Sequence, residues 1–170
     1  MYYTETSASS YVTTDGVPFL FGSDITEQGI DVTKARRIPP EVSRGELAKT
    51  CLRAGDVVTV RVGYPGVTAV VPPELDGANC ASMMLIRGSS SFDSHWLAFS
   101  MNSRIGRSQV EVVQYGAAQE QFNISHAVDF RFPVPPIEEQ RAIVAHIAAE
   151  TARLDALAAA TGQVQVLEAA

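Results

Sequence analysis

The tightest constraint on this chain is the run Pro133-Val-Pro-Pro-Ile-Glu-Glu-Gln140, followed by a helical pattern to about Ala160. Pro135 and Pro136 fix φ and remove two backbone donors, and each proline biases the residue before it away from helix. Pro136 also suits the opening of a helix, where an N–H would have no intrahelical partner. Glu138 and Glu139 then place negative charge at the positive end of the helix dipole. An extended segment therefore stops here and a helix begins. The run predicts a hinge between a domain over residues 1–135 and a helical arm over residues 136–170.

The arm carries a seam of Val144, Ile147, Thr151, Leu154, Ala158 and Thr161, with spacings that alternate between three and four. Ile143 and Leu157 widen it, as in a helix that pairs with another helix. Residues 137–160 predict a rod of about 36 Å at ~1.5 Å per residue. Only its first turns can pack on a small domain, so the rest of the seam needs a partner helix. Gly162 is expected to interrupt the pattern.

Before the hinge, the hydrophobic periodicity is that of short strands. Residues 1–15 are polar and read as a loop or a frayed start. Gly16–Gly22 reads as a buried strand. Residues 39–52 read as a short helix or irregular segment broken by Gly45. Val57–Val62 is the clearest strand, with Val58, Val60 and Val62 on one face and Thr59 and Arg61 on the other. The Gly63-Tyr-Pro-Gly66 turn returns it to Val67–Val71 as a hairpin. Met83–Arg87 is a further strand, and Asp93–Asn102 is a helix with Trp96, Leu97 and Phe99 inward. Gln109–Tyr115 alternates as a strand does. So do Val128, Phe130, Phe132 and Val134, a last strand feeding the hinge. The expected fold is α+β: a mixed, mostly antiparallel sheet domain with short helices, then a long coiled-coil-type helix.

With 46% hydrophobic residues in 170, the chain can bury one sizeable core. No run approaches the ~20 apolar residues of a membrane-spanning helix. The start lacks the basic and apolar regions of a secretory leader, so the expected location is cytoplasmic. Cys51 and Cys80 have neither zinc-site nor disulfide-framework spacing, and both are expected as small buried residues.

The chemistry-bearing residues do not converge. His95, His126 and His146 lie in unrelated segments, and no phosphate loop, dinucleotide fingerprint, nucleophile elbow or metal-ligand spacing is present in the sequence. No catalytic residue, metal ligand or resident cofactor is assigned. The charge is organised instead. The net charge of −6 conceals a zone from residue 34 to 64 with seven bases and three acids, a net of +4. A positive zone on an acidic body suits a phosphate-facing surface, and equally a loop that pairs with the body's own acids.

An ordered set of short motifs spans residues 16 to 160. It comprises Gly22-Ser-Asp-Ile25, Leu52-Arg-Ala-Gly-Asp-Val57, Arg61-Val-Gly63 with Gly66, Gly116-Ala-Ala-Gln119 and Asn123-Ile-Ser125. The set ends on Pro133-Val-Pro-Pro-Ile-Glu-Glu-Gln-Arg-Ala-Ile143. It resembles the specificity subunit of type I DNA restriction–modification enzymes. That resemblance implies a target-recognition domain followed by a spacer helix. It also implies double-stranded DNA, a methyltransferase (modification) subunit and a restriction subunit as partners. S-adenosylmethionine, ATP and Mg would be used by those partners only, and this chain would carry no chemistry of its own.

The usual subunit of that family has two recognition domains and two spacers, whereas one of each is visible here, and the lead-in before Gly16 looks short. The expectation is thus a fragment, a remnant, or a half-subunit that homodimerises through its helix and reads a symmetric split site. On the DNA reading, Lys34, Arg36, Arg37 and Arg44 are the first choice for phosphate and groove contacts. Arg61 and Tyr64 join them at the Gly63–Gly66 turn, Arg104 and Arg107 follow the short helix, and Gln119, Gln121 and Asn123 can pair with adenine edges. The competing reading is an interaction module that docks a methyltransferase subunit through its helix without binding DNA.

Overall fold

The computed structural model describes residues 11–115 and 122–168, with the side chains of residue 115 and residues 162–168 excepted. The strands are β1 (Val17–Leu20), β2 (Ile25–Thr26), β3 (Gly29–Ile30), β4 (Arg36–Ile38), β5 (Val57–Val60), β6 (Thr68–Val70), β7 (Asn79–Cys80) and β8 (Met83–Ile86). The helices are α1 (Pro40–Arg44), α2 (Ser94–Asn102), α3 (Arg104–Tyr115), α4 (Ile124–Ala127) and α5 (Ile137–Glu168). The chain divides into two compact units, Met1–Pro133 and Val134–Ala170.

The first unit is the expected α+β architecture. One sheet has the order β4-β1-β7 and a second the order β6-β5-β8, with β2 and β3 as a separate two-stranded ribbon. β5 pairs antiparallel with both β6 and β8, and β1 pairs antiparallel with β4 but parallel with β7. Alternation along the strands partitions the apolar side chains between layers. Leu20, Val58, Val60, Ala69, Cys80 and Met83 meet in the central core between the two sheets. Phe19 and Ile38 turn the other way, toward Leu47 and Ala81. Met84 joins Met101 of α2, Val110 of α3 and Phe122 on the far side of the second sheet.

β5 lies in the middle of its sheet, and both of its faces are covered. All four of its residues are buried. Thr59 faces the interior because its hydroxyl is satisfied by that of Thr68 at 2.9 Å, and Thr68 reaches the Gly66 carbonyl at 2.9 Å. Val62 lies past the strand end and is 52% exposed. Gly63 and Gly66 have φ of 91° and 87°, the left-handed region that closes this hairpin.

Two buried polar anchors hold the strand ends. Asp56 accepts hydrogen bonds from the backbone N–H groups of Arg53 and Gly88 and pairs with Arg87. Asn79 is fully buried; its amide donates to the Leu47 carbonyl at 2.8 Å and its carbonyl accepts from the Ser43 hydroxyl, fastening β7 to α1. Cys80 is buried as expected, while Cys51 is half-buried.

Helix α2 begins where Asp93 accepts from the backbone of His95 and Trp96, a side-chain cap. Its buried residues are Trp96, Ala98 and Met101, while Leu97 and Phe99 are half-buried. Two sequence readings are corrected. Gln109–Tyr115 is not a strand but the second half of α3. Its Val110 is buried and comes so close to Gly66 that a Cβ on that glycine would lie 2.7 Å from it. Residues 128–134 form no strand. Phe130 stacks on Phe122 with centroids 5.2 Å apart and Phe132 meets Phe130 edge-on at 6.5 Å. The Gln109 side chain occupies the backbone of Arg131 from both sides, donating to its carbonyl at 3.1 Å and accepting from its N–H at 2.8 Å. Tyr11 and Val12 are tied in, because the Val12 N–H donates to the Arg37 carbonyl at 2.9 Å. Arg36–Ile38, to which the sequence reading gave no element, form β4.

The second unit is α5 with its proline entry. The Pro136 carbonyl accepts from the N–H groups of Glu139 and Gln140, and the buried Gln140 side chain donates to the Pro135 carbonyl at 2.8 Å. Both proline carbonyls are therefore capped from the first turn. α5 has 32 residues and runs through Gly162, correcting the expected break; it is about 48 Å long at ~1.5 Å per residue. Alanine-rich flanks let one glycine be absorbed at about 1 kcal/mol. Val144 and Ile147 are half-buried, while Ile143, Thr151, Leu154 and Leu157 are exposed. No helix of the described residues is long and apolar enough to cross a membrane.

Candidate nucleic-acid interface

Pairing of β4 with β1 places Arg36 opposite Phe19 and Arg37 opposite Pro18, so the two arginines leave the sheet on opposite faces. Arg36 shares its face with Val17, Phe19 and Ile38. Its guanidinium carbon lies 4.9 Å from the Tyr11 ring centroid and 5.5 Å from that of Phe21. Phe21 meets Phe19 edge-on at 5.0 Å, so the guanidinium covers the open end of an aromatic cluster. Arg37 donates to the Gly16 carbonyl at 2.7 Å on the other face. The preceding turn exposes Lys34. There the Asp31 carboxyl is held below its ordinary range, chiefly by a hydrogen bond from the Thr33 backbone.

The aromatic cluster adjoins the β5–β6 turn. After Phe21, Gly22 approaches so closely that a Cβ there would lie 2.9 Å from Val60 and 3.6 Å from the Val62 carbonyl oxygen. Past Val62 the turn presents Tyr64, 82% exposed. The turn is pinned from behind, because Arg107 of α3 donates to the Pro65 carbonyl at 3.2 Å and pairs with Glu27 at 2.7 Å. Arg36 and Phe21 are thus linked through Gly22 to the turn that carries Val62 and Tyr64, and Arg107 holds that turn in place. Arg44 lies elsewhere, on a concavity of about 540 Å³ that it lines with Gly16, Pro18, Glu74 and Asp76. The two acids make that concavity a mixed rather than a cationic surface.

Arg61 does not belong to an exposed set. It is 3% exposed, its Nε donates to the Phe122 carbonyl at 3.0 Å and its Nη2 to the Asn123 side-chain oxygen. β5 is buried on both faces, so the first position after it is still interior, and a guanidinium there has to find internal acceptors. Asn123 is engaged by Arg61 and caps α4. Arg107 is held by Glu27, whereas Arg104 at the start of α3 is exposed. Gln119 and Gln121 lie outside the described residues. Sequence reading passed over Tyr11 and Phe21, which the Val12–Arg37 bridge and the pairing of β1 with β4 bring to Arg36. Among the described residues no group of three or more His, Cys, Asp and Glu side chains could hold a metal ion.

These features define an α+β domain with an arginine- and aromatic-bearing edge, followed by a separate long helix. No family model matches the sequence, and no curated protein matches it. Among solved structures, the chain is similar in fold to the HsdS subunit from Thermoanaerobacter tengcongensis, with a TM-score of 0.66 and 24% identity. It is similar also to a chain from a structure concerned with complex assembly and conformational transition of the type I R-M system, with a TM-score of 0.62 and 23% identity. Each alignment covers 83% of this chain and 37% of the other. The chain therefore spans little more than a third of the length of these neighbours. Its fold is the one that the ordered motifs implied.

Proposed function

We propose that this chain reads double-stranded DNA as a target-recognition domain and directs modification subunits of a type I restriction–modification system to the site. The observation that carries the reading is the likeness to an HsdS subunit over 83% of this chain. In this reading the first unit contacts DNA and α5 acts as spacer and docking helix for the methyltransferase subunit, with a restriction subunit joining the assembly. S-adenosylmethionine, ATP and Mg serve those partners. The exposed Leu154 and Leu157, 63% and 55% accessible, are where a partner helix would lie. A second copy of this chain on that seam makes a homodimer that reads a two-fold-related split site.

Salt dependence of binding provides the test. Each phosphate neutralised by a lysine or arginine contributes about −0.9 to the slope of log affinity against log salt. The chain, purified with a modification subunit, is expected to bind duplex DNA with a slope of several units and to direct methylation to one split sequence. Retained association with the modification subunit and no salt-dependent DNA binding would instead identify a protein-only docking module.

A further inference from the structure

We propose that Arg36 reads the edge of a guanine base, a role that rests on the DNA-reading function above and assigns one residue within it. The Arg36 guanidinium lies over two aromatic rings, those of Tyr11 and Phe21. Its side chain is nonetheless exposed. Among the described residues no carboxylate or carbonyl accepts from it, in contrast to Arg37 on Gly16, Arg61 on Phe122 and Arg107 on Glu27. Contact with rings restrains a guanidinium and consumes none of its N–H donors, so the fork is held in place and still available when a partner arrives.

That arrangement has a particular use. A phosphate contact needs only a positive charge, which an exposed side chain on a turn or at a helix start, such as Lys34 or Arg104, is enough to supply. A fork fixed on a strand whose register is set by Phe19 offers two parallel donors in one direction. The base edge that presents two acceptors at that spacing is guanine, through O6 and N7 in the major groove. The surroundings agree: across Gly22 lie exposed Val62 and Tyr64, an apolar and aromatic turn suited to lying against bases and sugars rather than phosphates. Preorganisation on a rigid element is what distinguishes residues that specify from residues that attract.

The test is the methylated or selected sequence of the full chain with its modification subunit, for the unaltered protein and for Arg36→Lys, Arg36→Ala and Phe21→Leu. Arg36→Lys keeps the charge and removes the fork at an exposed position, so thermal melting is expected to be unchanged and to certify the fold. Discrimination at one guanine position should fall by about 5- to 150-fold, the range for loss of a bidentate base pair contact, with the other positions intact. Phe21→Leu should blur the same position to a smaller extent. A motif unaltered in Arg36→Lys and Arg36→Ala overturns the assignment. So does a uniform loss across all sequences with the salt slope reduced by about 1, which marks a phosphate contact. If the unaltered protein binds no DNA in a sequence-dependent way, the DNA-reading function itself is overturned, a result distinct from a motif that survives Arg36→Lys.

Discussion

Replacing Arg61 with methionine separates an internal anchor from a DNA contact. The guanidinium is buried and donates through Nε to the Phe122 carbonyl at 3.0 Å and through Nη2 to Asn123. These bonds tie the end of β5 to the start of α4, and the Phe122 N–H returns to the Arg61 carbonyl at 3.1 Å. A hydrogen bond from a charged donor contributes ~1.5–3 kcal/mol, and of the acceptors left behind Phe122 is buried and Asn123 half-buried. Against this, methionine no longer buries a charge and fills much of the same space. The net loss is expected to be ~2–4 kcal/mol. For a unit of this size ~4 °C accompanies each kcal/mol, so melting should fall by ~8–16 °C. Urea unfolding of both proteins, followed by far-UV circular dichroism, measures the loss directly. DNA affinity below both melting transitions, and its salt slope, should match the unaltered chain. Unchanged urea and thermal midpoints together with weakened DNA binding would refute the anchor and return Arg61 to the interface.

Three further outcomes follow from the same geometry. Leu154→Asp with Ile147→Asp should reduce the mass of the assembled particle in light scattering while the melting of the first unit stays put; an unchanged mass would mean that α5 does not carry the association. Lys34→Ala and Arg104→Ala should each weaken binding to all sequences alike and take ~0.9 off the salt slope, and an effect confined to one base position would contradict a phosphate role. The Cys80 thiol is pushed up from 9.0 to about 12, chiefly by burial. Its folded pKa lies above the unfolded one, so the stability it contributes is complete below pH 9 and is lost as pH rises toward 12. The unfolded chain gives up the proton first, at ~1.4 kcal/mol per pH unit. Urea midpoints across that window should therefore fall more steeply for the unaltered protein than for Cys80→Ala, and parallel slopes would show that the thiol ionises without cost.

Local signals carried the fold wherever the physics was local. The β5–β6 hairpin was legible because valines flank a turn that needs glycine at two positive-φ positions, and α2 because Asp93 can cap it. Where tertiary contacts decided, the pattern misled. Val-Glu-Val-Val in residues 110–113 has the composition of a strand, yet it is helical because one valine, Val110, fits beneath Gly66 and against Met84, Met101 and Phe122. β-branched residues express a preference for a packed surface as much as for a backbone. The alternation of residues 128–134 likewise reflects two phenylalanines that stack toward Phe122, while Val128 and Val134 are 73% and 66% exposed. No strand pairs with that segment, since the Gln109 side chain already satisfies the backbone of Arg131.

The charge map shows the same limit from the other direction. A net of +4 over residues 34–64 reads as one cationic face, but charge along a sequence says nothing about which guanidinium is solvated. In the fold Arg61 turns inward, Arg37 serves the Gly16 carbonyl, and Arg44 faces a concavity that also holds Glu74 and Asp76. What remains at the edge beside the β5–β6 turn is chiefly Arg36, and its setting is defined by two aromatic residues that carry no charge. A count of bases could not have ranked Arg36 above Arg37, its neighbour. The alternation of a strand could, once Phe19 was known to lie opposite Arg36: one arginine of the pair must share the aromatic face and the other must leave it. On the proposed DNA-reading function, specificity therefore depends less on how many cations the domain carries than on which of them the sheet holds still.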